Sequence, residues 1–397
     1  MMSDRWAVYH GDCREVMEAM EPESIDSIVS DPPYGLSFMG KGWDHGVPGV
    51  EFWQAALRVA KPGAHLLAFG GTRTFHRLAC AIEDAGWDIR DCLMWVYGSG
   101  FPKSHNLKGE WSGWGTALKP AWEPIILARK PLSGTVAANV QEYGTGGINV
   151  DGCRVGFHGE ADKAAAAAAA AAQRACRDQN KNRTAYGEFN NGPASLRPYL
   201  DGMDKGRWPA NLIHDGSDEV VGLFPETGPA KKADRGKGID GSTFQNANGS
   251  LNGIRGHNDN GGSAARFFYC AKTSKADRDE GCEGLDAIHR SNGNKWTDQD
   301  YRVANGERPP SAESGPRRNH HPTVKPTDLM RYLCRLVTPP DGLVFDPFTG
   351  SGSTGKAAML EGLRFVGAEL SPEYIEIARA RIGHAAGKTR QKELALA

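Results

Sequence analysis

The chain has 397 residues, of which 39% are hydrophobic and 24% are charged, and its formal net charge is -1. This composition is typical of a globular protein that buries a large core. The near-neutral charge argues against a protein that coats nucleic acid by bulk electrostatics, although it does not exclude a local binding cleft.

Targeting signals and cysteine patterns are absent from the sequence. The first residues, "MMSDRWAVYHGDC", lead directly into an alternating strand pattern and do not resemble a signal peptide. No apolar run approaches the roughly 18 residues that suggest a membrane span. The 8 cysteines are scattered and never form C-x-x-C, which indicates reduced thiols. We therefore expect a cytoplasmic protein with no membrane partner and no metal site.

Residues 1–131 alternate between strand and helix patterns. In chain order the predicted elements are a strand "WAVYHGDC", a helix "CREVMEAM", a strand "SIDSIVS", a helix "VEFWQAALRVAKPG" closed by Pro62-Gly63, a strand "AHLLAFGG", a helix "TFHRLACAIEDAGW" and a strand "RDCLMWVYG". This repeated β-α-β order predicts a parallel sheet with helices on both faces.

The amino-acid composition differs from residue 132 to residue 318, where Gly, Asn, Asp, Arg and Pro are frequent. Such a composition predicts a loop-rich inserted region and not a second large core.

Residues 319–397 return to alternating elements. The patterns predict a helix "TDLMRYLCRLVTPPDG", a strand "LVFDP", a helix "STGKAAMLEG", a strand "RFVGAEL" and a helix "SPEYIEIARARIG". Both ends of the chain are expected to form one doubly wound, mostly parallel α/β sheet.

The stretch "VFDPFTGSGSTGKAAML" fits several nucleotide sites. A phosphate-binding P-loop needs Ser or Thr after its lysine, and here Ala357 follows Lys356. A G-x-G-x-x-G loop between a strand and a helix, with Glu369 ending the next strand, fits a dinucleotide fold. Because that arrangement suits any adenosine ligand, the loop predicts a nucleoside site without naming its ligand.

A second motif, Asp31-Pro32-Pro33-Tyr34, follows a predicted strand. Two consecutive prolines remove two amide donors and leave rigid carbonyl acceptors. A carboxylate and a carbonyl suit a ligand amino group with two N–H donors, and the Tyr34 ring offers a face on which a flat base can stack. The motif therefore predicts a site for an amino group carried by a nucleobase.

In combination these motifs resemble the DNA amino-methyltransferases, which use S-adenosylmethionine (SAM) to methylate adenine N6 or cytosine N4. The resemblance covers residues 4–131 and 316–383. "DPPY" precedes the SAM loop "DPFTGSGST", and "HPTVKP" precedes that loop, as in the beta group of the family. "YHGDC" is similar to the segment that meets the cofactor adenine, and "GTALKPAWEPIILARKPL" resembles bacterial and phage members.

The resemblance implies the SAM-dependent methyltransferase fold, with residues 132–318 as an inserted target-recognition region. It implies a catalytic role for Asp31, Pro32, Pro33 and Tyr34. For the cofactor it implies Asp12 and Cys13 at the adenine, Thr323 and Lys325 at the tail carboxylate, Glu369 at the ribose, and Asp346, Pro347 and Phe348 at the methionine and adenosine parts. Gly350 and Gly352 would let the cofactor approach the backbone, and Lys356 would be a solvated lysine.

The implied substrate is double-stranded DNA, from which the target base must flip out to reach Asp31. Asp in the first place of the motif favours adenine N6, with cytosine N4 as the alternative. Methylation of RNA or of a protein glutamine and a non-enzymatic dinucleotide-binding module are the other hypotheses. The loop "LSFMGKGWDHG" is a candidate lid, and the resemblance also suggests a homodimer.

Overall fold

In the computed structural model the chain divides into two compact units. The first comprises residues 1–94, 123–149 and 271–397, and the second comprises residues 95–122 and 150–270. These boundaries differ from the predicted ones, because residues 95–122 group with the second unit and residues 132–149 and 271–318 with the first. The structure describes residues 5–36, 46–100, 104–157, 159–160, 162–164, 166–167, 205–227, 233–234, 254–255, 262–271, 277–287 and 318–396.

The first unit is built around a mostly parallel sheet. The strands that belong wholly or mainly to it are β1 (Trp6–His10), β2 (Ile25–Ser30), β3 (Ala60–Phe69), β4 (Asp88–Val96), β5 (Trp122–Arg129), β12 (Leu343–Asp346) and β13 (Arg364–Glu369). They lie in the order β1-β13-β12-β2-β3-β5-β4. From β1 to β3 each neighbouring pair is parallel, and β5 runs antiparallel to β3.

Helices flank this sheet in two layers. The helices of the first unit are α1 (Cys13–Glu18), α2 (Val50–Val59), α3 (Phe75–Asp84), α4 (Val136–Tyr143), α6 (Thr327–Val337), α7 (Ser353–Leu360) and α8 (Pro372–Leu396). Helix α2 contacts α1 and α3, and helix α7 contacts α6 and α8. The predicted strands of both chain ends thus form one sheet, and the predicted helices pack on it. This confirms the doubly wound α/β fold.

Strand β2 shows how the sequence separates the two layers. All six of its residues are buried, as in parallel strands that are covered on both faces. Ile28 packs into the core formed with helices α1 to α3. On the other face the hydroxyl oxygen of Ser27 lies 2.8 Å from that of Thr338, at the end of α6. Alternate residues of one strand therefore hold different helices.

The predicted end of helix α2 is wrong. The sequence suggested a helix closed by Pro62-Gly63, but α2 ends at Val59 and β3 begins at Ala60. The carbonyl oxygen of Val59 accepts a hydrogen bond from the Ser24 N–H at 2.9 Å, so the chain enters the sheet earlier. A proline disfavours helical geometry at the residue before it, which supports the early end.

Helix α4 was not predicted, because it lies within the region that reads as an insertion. The Thr135 side chain accepts from the Ala138 N–H at 3.2 Å, and Gly144 ends the helix with φ 77°. Both features are standard helix caps. This segment contributes to the first unit and not to a separate loop-rich region.

The second unit contains short elements. They are β6 (Leu212–His214), α5 (Asp218–Val221), β7 (Glu226–Thr227), β8 (Ala233–Asp234), β9 (Ile254–Arg255), β10 (Gly262–Ser263) and β11 (Tyr269–Cys270), with 3-10 helices at Gly109–Trp111, Asp151–Cys153 and Ala264–Phe267. β11 pairs with β6 in parallel, and β10 with β7 and β8 with β9 are antiparallel.

Among the described residues, no helix is long and apolar enough to cross a membrane.

Candidate active site

Four strand ends of the first unit meet at one edge of the sheet. β1, β13, β12 and β2 are parallel neighbours, so the loops after them share the edge where open α/β sheets place their ligands. These loops line a cavity of about 770 Å³. The predicted site residues on its wall are Asp12, Cys13, Asp31, Pro32, Pro33, Tyr34, Thr323, Lys325, Asp346, Pro347, Phe348, Gly350 and Glu369. Gly352 lies outside this lining.

The carboxylate of Asp31 is held by two neighbours. The Tyr34 hydroxyl donates to Oδ1 at 2.8 Å, and the Lys325 ammonium donates to Oδ2 at 2.8 Å. A second carboxylate, Glu123 Oε2, lies 3.2 Å from Lys325 Nζ and 3.1 Å from the Tyr34 hydroxyl oxygen. We call these four residues, Asp31, Tyr34, Glu123 and Lys325, the Asp31 cluster.

The cluster carries a formal charge of one negative unit. Burial lowers the pKa of Lys325, but the charges of Asp31 and Glu123 and their hydrogen bonds more than offset this, so the pKa lies above its usual value. Burial, together with the same two carboxylates, raises the pKa of the Tyr34 hydroxyl well above its usual value. The lysine is therefore cationic and the tyrosine neutral, which leaves two carboxylates against one ammonium.

Asp31 retains capacity for a ligand. Each carboxylate oxygen can accept more than one hydrogen bond, and the Asp31 side chain is 21% exposed whereas that of Lys325 is 8% exposed. Pro32 and Pro33 contribute no N–H donor to this wall. The corner therefore suits a ligand that donates hydrogen bonds, such as an amino group, and disfavours an anion.

The backbone conformation and the packing of the loop after β12 require glycine at two positions, whether or not a ligand is bound. Gly350 and Gly352 have φ values of 52° and 76°, in the left-handed region. An added Cβ would lie 2.9 Å from His321 Nε2 at Gly350 and 2.9 Å from Ala378 Cα at Gly352. Gly352 packs against helix α8, and the approach of a cofactor to the backbone at both glycines stays a prediction.

Glu369 fixes the same loop from the next strand. Its Oε2 accepts from the Gly350 N–H at 2.7 Å, and its Oε1 accepts from the Ser371 N–H at 2.8 Å. Burial raises the pKa of this carboxyl, although both backbone donors oppose the shift. The carboxylate is thus held in one orientation at the cavity wall, with lone pairs left for a ligand hydroxyl.

Asp346 is occupied by the protein itself. Its Oδ1 accepts from the Ser30 hydroxyl at 2.5 Å, and its Oδ2 accepts from the Thr354 hydroxyl at 2.7 Å. Burial raises the pKa of this carboxyl to about 6, against the lowering effect of these hydrogen bonds. Asp346 therefore ties β2, β12 and α7 together beneath the cavity.

Asp12 and Cys13 follow β1, which β13 and β12 separate from the strand β2 that precedes Asp31. Asp12 caps α1 by accepting from the Arg14 N–H at 2.8 Å, and it pairs with the Arg14 guanidinium at 2.6 Å. Burial raises the pKa of the Cys13 thiol to about 12, which keeps it protonated and unreactive. The Phe52 and Phe348 rings lie 6.0 Å apart nearby, so this end of the cavity is aromatic.

Comparisons with known proteins show that the chain is similar to DNA methyltransferases. Residues 197–380 match the N6_N4_Mtase family model, described as DNA methylase. The chain is 24% identical to the type II methyltransferase M.HindIII of Haemophilus influenzae, over 36% of this chain and 64% of that protein. It is 38% identical to the DNA adenine methyltransferase YhdJ of Escherichia coli K12, over 16% of this chain and 21% of that protein.

These similarities support a DNA amino-methyltransferase, and the family model matches less than half of the chain. The chain spans less than two thirds of the length of the curated relatives that it matches. Among solved structures, the cytosine-N4-specific PvuII DNA methyltransferase is 14% identical with a TM-score of 0.43, covering 98% of this chain and 94% of that chain.

Sequence reasoning missed Glu123. The residue lies in "GTALKPAWEPIILARKPL", which was matched as a phrase without a role for its acid. Because β5 runs antiparallel to β3, with Ile125 opposite Phe69, the amino end of β5 lies beside the carboxyl end of β3. The available signal is an acidic residue at the start of the apolar strand β5.

The partners of two lysines differ from what the sequence suggests. The Lys325 ammonium contacts the carboxylates of Asp31 and Glu123, and its role at a ligand carboxylate stays a prediction. Lys356 was expected to be solvated, but it is 2% exposed and pairs with Asp277 and Glu280. Partners that are distant in sequence explain both differences.

Residues 37–45 of the candidate lid loop lie outside the described part of the chain. Within the part that the structure describes, no group of three or more His, Cys, Asp or Glu side chains could hold a metal ion.

Proposed function

We propose that the chain transfers a methyl group from SAM to the exocyclic N6 of an adenine that is flipped out of double-stranded DNA. One observation carries the proposal: the Asp31 cluster and the loop from Gly350 to Glu369 line the same cavity. Similarity to DNA methyltransferases supports the class of reaction. The proposal takes the Asp31 cluster as the amino-group site and the loop from Gly350 to Glu369 as the nucleoside site.

The residues present fit SAM in charge and shape. The cluster, with its single net negative charge, suits the positively charged sulfonium. Glu369 suits the ribose hydroxyls, and the rings of Phe52 and Phe348 suit the adenine. When bound, SAM supplies the methyl group on that sulfonium.

The tail carboxylate of SAM finds a better partner than Lys325 at the start of helix α7. Ser351 and Ser353 both line the cavity, and each hydroxyl oxygen accepts from the buried Arg381 guanidinium, at 3.0 and 3.1 Å. Each hydroxyl proton is therefore available to an anion, and the helix amino terminus favours negative charge. We assign the carboxylate to this pair.

Asp31 and the Pro32 carbonyl orient the target amine. The amino nitrogen is conjugated with its ring and is a weak nucleophile until its lone pair turns toward the methyl group. Each of the two oxygens accepts a hydrogen bond from one N–H group of the amine. These hydrogen bonds favour a pyramidal nitrogen and stabilise the positive charge that develops on it. The Asp31 carboxylate is also the nearest acceptor for the proton that the methylated amine releases.

The target base cannot reach Asp31 inside a duplex, so it must leave the stack at a cost of a few kcal/mol. The Tyr34 ring on the cavity wall provides a stacking surface that recovers roughly 1 to 3 kcal/mol. The Thr74 hydroxyl donates to the Tyr34 carbonyl oxygen at 2.6 Å and fixes the residue.

Adenine is favoured over cytosine on two grounds. The motif begins with Asp, which within the family favours adenine N6. One relative, YhdJ, is a DNA adenine methyltransferase. We further propose that target recognition belongs to the second compact unit, whose short elements and loops suit a sequence-specific surface.

The decisive experiment supplies radiolabelled SAM with duplex DNA, RNA or protein as acceptor, and then maps the modified base in DNA from cells that express the chain. We expect transfer to duplex DNA and N6-methyladenine at one recognition sequence. N4-methylcytosine would overturn the choice of base, and transfer to RNA or protein alone would overturn the proposed substrate. NAD binding without any methyl transfer would indicate the non-enzymatic alternative.

A further inference from the structure

Glu123 is a second carboxylate at the reacting end of the cavity, and the mechanism above gives it no task. Its Oε2 lies 3.2 Å from Lys325 Nζ and 3.1 Å from the Tyr34 hydroxyl oxygen. Its side chain is 20% exposed, and it lines the cavity together with Asp31. A carboxylate in this position changes the charge of the site.

The effect of Glu123 on charge is clear from its neighbours. Without it, Asp31 and Lys325 would cancel, and the cluster would be neutral. With it, the cluster carries one net negative charge. Lys325 is only 8% exposed, and its Nζ lies 4.8 Å from the centre of the Phe69 ring. The cluster therefore lies in a poorly solvated place, where charges are weakly screened.

The proposed reaction brings the cofactor charge close to the cluster. A hydrogen bond to Asp31 places the target nitrogen about 3 Å from that carboxylate. The methyl carbon must then lie about 3 Å from the nitrogen, and the sulfonium sulfur is bonded to that carbon. The positive charge is therefore only a few bond lengths from the cluster, while the thioether left after transfer has no charge.

We infer that Glu123 makes the Asp31 cluster net negative so that the site binds the charged sulfonium cofactor in preference to its uncharged thioether product. Glu123 is thus a residue that determines selectivity between the two ligands. Lys325 holds the two carboxylates together but neutralises the charge of only one of them. The inference rests on the proposed function, because it takes SAM as the cofactor. Its consequence is that the spent cofactor is released more readily than SAM.

The test measures dissociation constants by calorimetry, without DNA, for SAM and for S-adenosylhomocysteine, the thioether product. Glu123→Gln removes the charge while keeping the shape, and the SAM preference should fall roughly tenfold. The double variant with Glu123→Gln and Lys325→Met returns the cluster to one negative charge, so the preference should return. Glu83→Gln, an exposed change of the same type on helix α3, is the matched control and should leave the preference unchanged.

A purely structural role for Glu123 would weaken both ligands equally, and a second substitution would not rescue it. An unchanged preference in Glu123→Gln, or no recovery in the double variant, would overturn the inference while wild-type methylation of DNA still upheld the proposed function. Failure of the wild-type protein to bind SAM would overturn both.

Discussion

Two lysines of the first unit are buried, and each contacts two carboxylates, yet only one lies on the cavity wall. Lys325 Nζ is 2.8 Å from Asp31 and 3.2 Å from Glu123, and all three residues line the cavity. Lys356 Nζ, in helix α7, is 2.5 Å from Asp277 Oδ1 and 2.7 Å from Glu280 Oε2. A buried ion pair therefore indicates a binding or catalytic role only when its carboxylates also line the cavity.

The Lys356 pairs tie together segments that hold the site. Asp277 Oδ2 accepts from the Thr327 N–H at 2.7 Å, at the start of helix α6, and its carbonyl oxygen accepts from Arg381 at 3.3 Å. The hydrogen bond from Lys356 also lowers the pKa of Glu280 to about 2. Lys356 thus connects α6, α7 and α8 and does not line the cavity.

The largest expected effect breaks this structural pair. Lys356→Met leaves Asp277 without its buried cation, so we expect the free energy of unfolding to fall by about 3–5 kcal/mol. The control is Lys119→Met, because Lys119 pairs with Glu219 at 36% and 61% exposure. That change should cost about 0–1 kcal/mol. Equal losses in urea unfolding would show that the burial of Lys356 does not matter.

The same comparison shows what the sequence can and cannot predict. The strands and helices follow from local periodicity, and the strand ends that carry Asp31 and Gly350 follow from the β-α-β order. The partners of a lysine do not follow, because Lys325 meets Asp31 from the other end of the chain. Glu123 escaped notice because its position depends on the antiparallel direction of β5, which no local pattern specifies.

The second prediction tests the functional cluster. Asp31→Asn keeps the shape of the side chain but replaces one acceptor oxygen with a donor. Single-turnover methyl transfer at saturating SAM should slow by about 10²–10³-fold, the usual loss when one preorganised electrostatic group is removed. Binding of the uncharged S-adenosylhomocysteine should be retained. A normal transfer rate in this variant would remove Asp31 from the mechanism.

The third prediction concerns Gly352, in the loop between β12 and α7. Gly352 and Gly362 have similar φ values of 76° and 71°, but an added Cβ meets Ala378 Cα at 2.9 Å at Gly352 and nothing within 4 Å at Gly362. Gly352→Ala should therefore cost about 1–3 kcal/mol more unfolding free energy than Gly362→Ala, since only the former overpacks helix α8. Equal costs would indicate that backbone strain alone requires glycine there.

The smallest expected effect is a dependence of stability on pH from Asp346, the carboxyl beneath the cavity. Burial raises its pKa to about 6 from 3.8, so the folded state binds the proton more tightly than the unfolded state. The stability that this group contributes is therefore complete below about pH 4 and is lost as the pH rises through about 6. The slope contributed by one group is at most about 1.4 kcal/mol per pH unit.

The total stability curve does not isolate this slope, because buried His321 gives the opposite one. Burial lowers the pKa of His321 to about 4 from 6.5, so its contribution is lost as the pH falls below about 6.5. The readout is therefore the difference in unfolding free energy between wild type and Asp346→Asn, in which the His321 effect cancels. The unfolding free energy of the wild type should fall relative to that of Asp346→Asn as the pH rises from about 4 to about 6, and the difference should then level off. A difference that stays constant across this range would mean that the Ser30 and Thr354 hydroxyls stabilise the Asp346 carboxylate enough to offset its burial.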